Sequence, residues 1–139
     1  MADLEIILNL LAKQFEEHEN YLKPGELESA IKAEFTRDDL GFFELASNQD
    51  QVIGFAAVSY AWTLEHGGKS AWLDELYVLP EYRGSGVGSL LIEGVVEQAN
   101  QEGCLAIDLE VEADHSRAKH LYLRKGFEKL PRSRWVKKL

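Results

Sequence analysis

Apolar residues first recur at helical spacing. Leu4, Ile7, Leu8, Leu11 and Phe15 make one stripe and predict a helix from about Leu4 to Glu17. Leu27, Ala30, Ile31 and Phe35 form a second stripe. It predicts a helix starting near Pro24, a residue tolerated in the first turn. The polar run from His18 to Lys23 reads as a loop. The pattern then changes to that of strands. Phe42 to Ala46 is short, and Val52 to Trp62 is longer and rich in β-formers. The turn-forming run Ser47 to Gln51 between them predicts a hairpin. Thr63 to Ser70, with Gly67 and Gly68, reads as a loop. A third strand is expected from about Ala71 to Leu79, stopped by Pro80.

Helical spacing returns at Val87, Leu90, Leu91, Val95 and Ala99, predicting a helix over about 87–102. Gly94 inside it costs about 1 kcal/mol relative to alanine, which close packing against a sheet would explain. Gly103 is placed as a C-terminal cap. Leu105, Ile107, Leu109 and Val111 then share one face of a strand. Strand, crossover helix and strand form a βαβ unit, expected to be parallel and right-handed. Asp114 is positioned to cap a last helix, His115 to Lys125, ending at Gly126. Phe127 to Leu130 and Ser133 to Leu139 are weaker strand candidates separated by Pro131. The expected order is ααβββαβαββ, an α+β arrangement with a mixed sheet and helices on both faces.

The 139 residues fit one domain spanning 1–139, long enough to build a core without staples. A single cysteine, Cys104, excludes an intramolecular disulfide framework and a cysteine-rich zinc site. It reads as a small core residue rather than a nucleophile. His18, His66, His115 and His120 show no metal-binding spacing, so no metal is expected. The net charge of −9 argues against general binding to nucleic acid or anionic membranes and permits cationic partners. No apolar run approaches the roughly 18 residues of a membrane span, and the N-terminus lacks the basic region of a secretory signal. A cytoplasmic location is expected.

The third strand leads into Arg83-Gly84-Ser85-Gly86-Val87-Gly88 and directly into a helix. Such a loop turns several backbone N–H groups toward one point, where the helix dipole adds positive potential. That suits an anion, phosphate above all. The spacing does not match a P-loop, because no lysine follows these glycines. Nor does it match the dinucleotide fingerprint Gly-x-Gly-x-x-Gly, whose third glycine would fall on Ser89 or Leu91. A tight turn without ligand is the alternative reading.

This loop resembles the Arg/Gln-x-x-Gly-x-Gly/Ala signature of the GNAT superfamily of acetyl-CoA-dependent N-acetyltransferases. Leu76 to Tyr82 is similar to the strand that carries it. Ala118-Lys119-His120-Leu121-Tyr122-Leu123-Arg124-Lys125-Gly126-Phe127 resembles the family's second motif, Ala-x-x-Leu-Tyr-x-x-x-Gly-Phe. The clear match covers about residues 71–127.

The resemblance implies the GNAT acyl-CoA N-acyltransferase fold, with a central, mixed, mostly antiparallel sheet flanked by helices. It also implies acetyl-CoA as cosubstrate. Its pyrophosphate would rest on amides of Arg83, Gly84, Ser85, Gly86, Val87, Gly88 and Ser89. Its pantetheine arm would pair with the strand near Tyr77 and Val78. The acetyl group would go to a primary amine by direct attack in a ternary complex. Tyr122 occupies the position of the usual general acid; a packing tyrosine is the alternative. Asp74 and Glu75 stand where relatives place a base. They could instead hold a substrate ammonium or simply face solvent. Glu110 is a weaker base candidate.

Trp72 to Val78 is similar to the diamine acetyltransferase branch. His115 to Tyr122 is closer to the branch that includes aminoalkylphosphonate acetyltransferases. His115 stands where the second motif often has asparagine, so it either takes over that cofactor contact or lies on the surface. The expected substrate is a small polyamine-like or aminoalkyl compound. A protein or peptide amine is one alternative, and a non-catalytic CoA-binding regulatory module is another. A homodimer is expected only by analogy with relatives.

Charge is unevenly spread. Residues 1–114 hold 6 Lys+Arg against 23 Asp+Glu, a net −17, and residues 115–139 hold 9 against 1, a net +8. Arg117, Lys119, Arg124 and Lys125 are therefore expected to draw in the anionic cosubstrate, with part of the acidic portion meeting the amine.

Overall fold

A computed structural model describes residues 2–17 and 23–139. The run 18–22, which holds His18 and most of the expected first loop, lies outside the described residues. Helices α1 (Ala2–Glu17) and α2 (Pro24–Thr36) come first, followed by strands β1 (Gly41–Asn48), β2 (Gln51–Thr63) and β3 (Gly68–Val78). A 3-10 turn at Pro80–Tyr82 then precedes helix α3 (Val87–Gln101), strand β4 (Ile107–Leu109) and helix α4 (Ser116–Arg124). The sheet order is β1-β2-β3-β4. The first three strands are antiparallel, and β4 runs parallel to β3, as a βαβ crossover requires.

Each face of the sheet carries its own apolar cluster. Ile7, Leu10 and Leu11 of α1 and Ile31 of α2 pack with Ile53, Phe55, Ala57 and Tyr77 on one face. Ile92, Val95 and Ala99 of α3 pack with Ala56, Val58, Ala71 and Leu73 on the other, with Leu121 and Tyr122 of α4 against them. Alternating residues of β2 thus serve opposite faces, as a doubly covered strand demands.

Both predicted glycine caps hold. Gly103 (φ 76°) and Gly126 (φ 88°) are left-handed. Each is followed by a residue whose amide reaches back across the last turn: Cys104 N–H to Ala99 O at 2.9 Å, and Phe127 N–H to Tyr122 O at 3.0 Å. Gly94 has its explanation in packing, since a β-carbon there would fall 2.5 Å from Glu44 Oε1 on β1.

Four expectations need correction. The two C-terminal strands are absent among the described residues; residues 127–139 lack regular structure. A strand needs a ladder partner, and regular β4 offers only three residues. Pro131 also withholds a donor. The tail is instead attached by side-chain ion pairs, Arg132–Glu65 and Arg134–Glu110. Second, β4 is shorter than the predicted 105–111, and Leu105 is exposed rather than on its buried face. Third, β3 begins at Gly68, so only Gly67 (φ 78°) serves the turn. Fourth, Asp114 does not cap α4. His115 does, its Nδ1 accepting from Ala118 N–H at 3.2 Å.

Candidate active site

The register between β3 and β4 ends at Leu73 opposite Leu109, while β3 continues to Val78 paired only with β2. The strands therefore part, and a cleft of about 810 Å³ opens along the uncovered edge of β3. The glycine loop and α4 form its far wall. Leu79 N–H donates to Ile53 O at 2.8 Å. By the alternation of an antiparallel ladder, Tyr77 N–H also points toward β2, and the amides of Leu76 and Val78 point into the cleft. Tyr77 itself is a core residue. Its hydroxyl donates to Glu17 Oε1 at 2.8 Å, and burial, then that carboxylate, pushes its pKa up to about 12.

At one end of the cleft lies the glycine loop. Gly84 (φ 80°) and Gly86 (φ 91°) adopt the left-handed conformation that favours glycine, and Gly86 is the N-cap of α3. Arg83 N–H donates to Pro80 O at 3.2 Å. The amides of residues 84–89 have no acceptor among the described residues. Such a row of open donors at a helix N-terminus fits a pyrophosphate. Arg83 ties this loop to β3 and α1, with Nε on Val78 O at 2.8 Å and Nη2 on Glu17 Oε2 at 2.9 Å. Its side chain is thus occupied within the fold.

From α4, Arg117 reaches over Gly84, and Arg124 lines the cleft. Lys119 is turned to the carbonyl of Ala113, and Lys125 pairs with Glu93 at 2.6 Å. Of the four expected steering cations, Arg117 and Arg124 are the two on the cleft wall. His115 also lines the cleft. Its capping bond uses Nδ1 as acceptor, so the neutral ring carries its proton on Nε2.

Where the strands part, β3 carries a bulge: Ala57 pairs with Glu75 and Val58 with Leu73, leaving Asp74 as the extra residue. The bulge changes the strand's phase. Leu73 and Leu76 both face α3 and α4, while Glu75 meets α1, accepting from Gln14 Nε2 at 2.7 Å. Asp74 is exposed. Tyr122 is half-buried, its ring edge-on to Phe127 at 5.7 Å. Burial, then the charge of Glu75, raises its pKa above the ordinary phenol value, so the phenol stays protonated at neutral pH. A smaller lobe of about 380 Å³ continues past the bulge. It is walled by Trp72, Asp74, Glu75, Glu110 and Glu112, with Arg134 paired to Glu110.

Sequence reasoning missed two residues. Glu34 of α2 has its pKa pushed up to about 7, first by burial and then by the charge of Asp74. Its Oε1 is buried with no partner among the described residues. Gln14 is the other. Both carry the same signal: a polar side chain on an apolar stripe, three residues after Ile31 and Leu11 respectively. No cluster able to hold a metal occurs among the described residues.

The chain is 35% identical over 79 residues to thialysine N-epsilon-acetyltransferase of Bos taurus, a match covering 57% of this chain and 46% of that protein. It is 30% identical over 86 residues to aminoalkylphosphonate N-acetyltransferase of Salmonella typhimurium, covering 62% of this chain and 56% of that one. The chain thus spans about half the length of these curated relatives. The structure of AAC(6')-Iy in complex with the bisubstrate analogue CoA-S-monomethyl-acetylneamine superposes with a TM-score of 0.82 at 20% identity, covering 99% of this chain and 92% of that one. The model of the acetyltransferase (GNAT) family matches residues 4–127. This chain belongs to that family.

Proposed function

We propose that the chain is an acetyl-CoA-dependent N-acetyltransferase acting on a primary amine of a small molecule. One observation carries the reading. A single cleft joins a row of open loop amides, a carboxylate on a bulged strand and a protonated tyrosine. The amides of residues 84–89 take the pyrophosphate. The open edge of β3, through Leu76 and Val78, takes the pantetheine arm. Glu75 accepts a proton from the substrate ammonium, which frees the amine lone pair. The amine nitrogen bonds to the acetyl carbon, and a β3 amide donates to the developing oxyanion. As the carbon–sulfur bond breaks, Tyr122 gives its proton to the departing sulfur. The nitrogen, which carries two hydrogens and a positive charge after attack, releases one to solvent, from which Tyr122 is reprotonated.

The substrate class follows from the acidic lobe beyond the bulge. Asp74, Glu110 and Glu112 favour a cationic or polyamine-like molecule. The named relatives, which act on thialysine and aminoalkylphosphonates, support an aminoalkyl compound. A thiol-release assay with spermidine, thialysine, 2-aminoethylphosphonate and short peptides tests the reading. Turnover of a small amine is the expected result. Turnover of the peptides alone would mark a protein acetyltransferase. Acetyl-CoA binding without turnover of any amine would mark a non-catalytic module.

A further inference from the structure

Gln14 stands where the apolar stripe of α1 calls for a hydrophobe, three residues after Leu11 and seven after Ile7. It is 9% exposed. Its Nε2 donates to Glu75 Oε2 at 2.7 Å. Its Oε1 is sealed from solvent and has no partner among the described residues. A buried carbonyl without a donor is a cost that leucine or methionine would not incur, so the carboxamide calls for an explanation.

We propose that Gln14 is the positioning residue of the Glu75 base: its Nε2–H holds the carboxylate, and a half-turn of the carboxamide presents Oε1 to the O–H that Glu75 gains on taking the amine's proton. The inference rests on the reading of Glu75 as base given above.

The chemistry of the two groups supports it. An ionised carboxylate only accepts hydrogen bonds, while a protonated one also donates. A glutamine can answer both states, because its O and N are nearly equal in size and exchange places without new volume. The charge-assisted bond to the carboxylate is the stronger of the two, so loss of the glutamine raises the midpoint. A lysine at this position would favour only the ionised state, and a carboxylate only the protonated one. In the step itself one N–H bond of the ammonium breaks and one O–H bond on Glu75 forms. The nitrogen loses its positive charge and the carboxylate its negative one. The proton later leaves to solvent through the cleft.

Among the described residues, the charged and titratable groups that line the cleft and its lobe with Glu75 include Glu17 from α1, Asp74 from β3, Arg83 before α3, Glu110 and Glu112 beyond β4 with Arg134 beside them, and His115, Arg117, His120, Tyr122 and Arg124 at α4. The charge of Asp74 in turn acts on Glu34 of α2. The carboxylates among them favour a protonated Glu75, and the arginines and the Gln14 donor oppose that.

The test is a pH titration of the Glu75 side-chain carboxyl carbon by NMR on the full chain, wild type and Gln14→Met. It is paired with kcat/KM against pH for whichever of spermidine, thialysine and 2-aminoethylphosphonate turns over best. The expected result is a midpoint and an acid limb moved to higher pH by about one pH unit. A kcat lowered about tenfold and an acetyl-CoA affinity within about twofold of wild type complete the expectation. In a Glu75→Gln background, Gln14→Met should add nothing further. An unmoved midpoint, or losses that add in the double variant, overturns the role of Gln14 while leaving Glu75 as base. Full activity of Glu75→Gln overturns both. If Gln14→Met does not bind acetyl-CoA, the isosteric Gln14→Glu takes its place. It should raise the midpoint, and an unmoved one again overturns the proposal.

Discussion

The guanidinium of Arg117 lies over Gly84: a β-carbon built on Gly84 would fall 2.7 Å from Arg117 Nη2. One element thus places a cation on the open amides of another. Gly84→Ala would displace that cation and strain a residue at φ 80°. Arg117→Ala removes the charge without touching the loop. Both variants are expected to weaken acetyl-CoA binding about tenfold, and Arg117→Ala should flatten its salt dependence. Calorimetry at two ionic strengths checks this.

Tyr122→Phe keeps the ring packing against Phe127 and removes only the hydroxyl. We expect kcat to fall about a hundredfold with acetyl-CoA affinity unchanged. Because burial and Glu75 raise the phenol's pKa above its ordinary value, the wild-type rate should show no loss from tyrosine ionisation up to pH 9. A rate profile of Tyr122→Phe that overlays the wild type would remove the hydroxyl from the chemistry.

Glu34 carries a pH dependence of stability. Its pKa rises from 4.5 to about 7 on folding, so the folded state prefers the protonated carboxyl. That contribution is fully present below pH 4.5 and is lost as pH rises through 7. Glu34→Gln should therefore melt higher than wild type at pH 8, with little difference at pH 4.5. Thermal denaturation at the two pH values decides.

Gly94 and Glu44 are coupled by contact. Gly94→Ala gains about 1 kcal/mol of helix propensity but drives a methyl against the Glu44 side chain, whose nearest atom would be 2.5 Å away. With Glu44→Ala already present, the propensity gain should appear in full as added stability. A double-mutant cycle by urea denaturation should then give a clearly nonzero coupling.

Much of this architecture is legible in residue order alone. The stripes through Ile7 and Ile31, the stop at Pro80 and the caps at Gly103 and Gly126 all state local preferences that the packing respects. The glycine loop is legible for the same reason, because its conformation is set within six residues. The phase of β3 is not. Nothing in Leu73-Asp74-Glu75-Leu76 tells which residue is extra; the ladder with β2 decides it. The C-terminal tail illustrates the same limit. Trp135 and Val136 favour strand, but a strand needs an edge to join, and β4, beside which Glu110 holds Arg134, has only three residues to offer. The roles of Gln14 and Glu34 were hidden for a different reason. An apolar stripe is marked by its hydrophobes, and a polar member such as Gln14 or Glu34 carries no local signal of what it meets across the fold.

The bulge at Asp74 also sets how the chain tolerates changes of length. The ladder with β2 absorbs one surplus residue at Asp74, so both halves of β3 face the right helices although their numbering is out of step. Trimming the turn at Gly67 would shorten an exposed arm. Deleting Asp74 would leave Leu73 opposite Val58 and Glu75 opposite Ala57, so the ladder would close with both halves on their present faces and only the bulge lost, whereas a residue removed elsewhere along the paired strand would turn part of it inside out. At the bulge the count of residues is thus a matter of the site rather than of the core: a deletion there should spare the packing and change how the strand is aimed at the cleft.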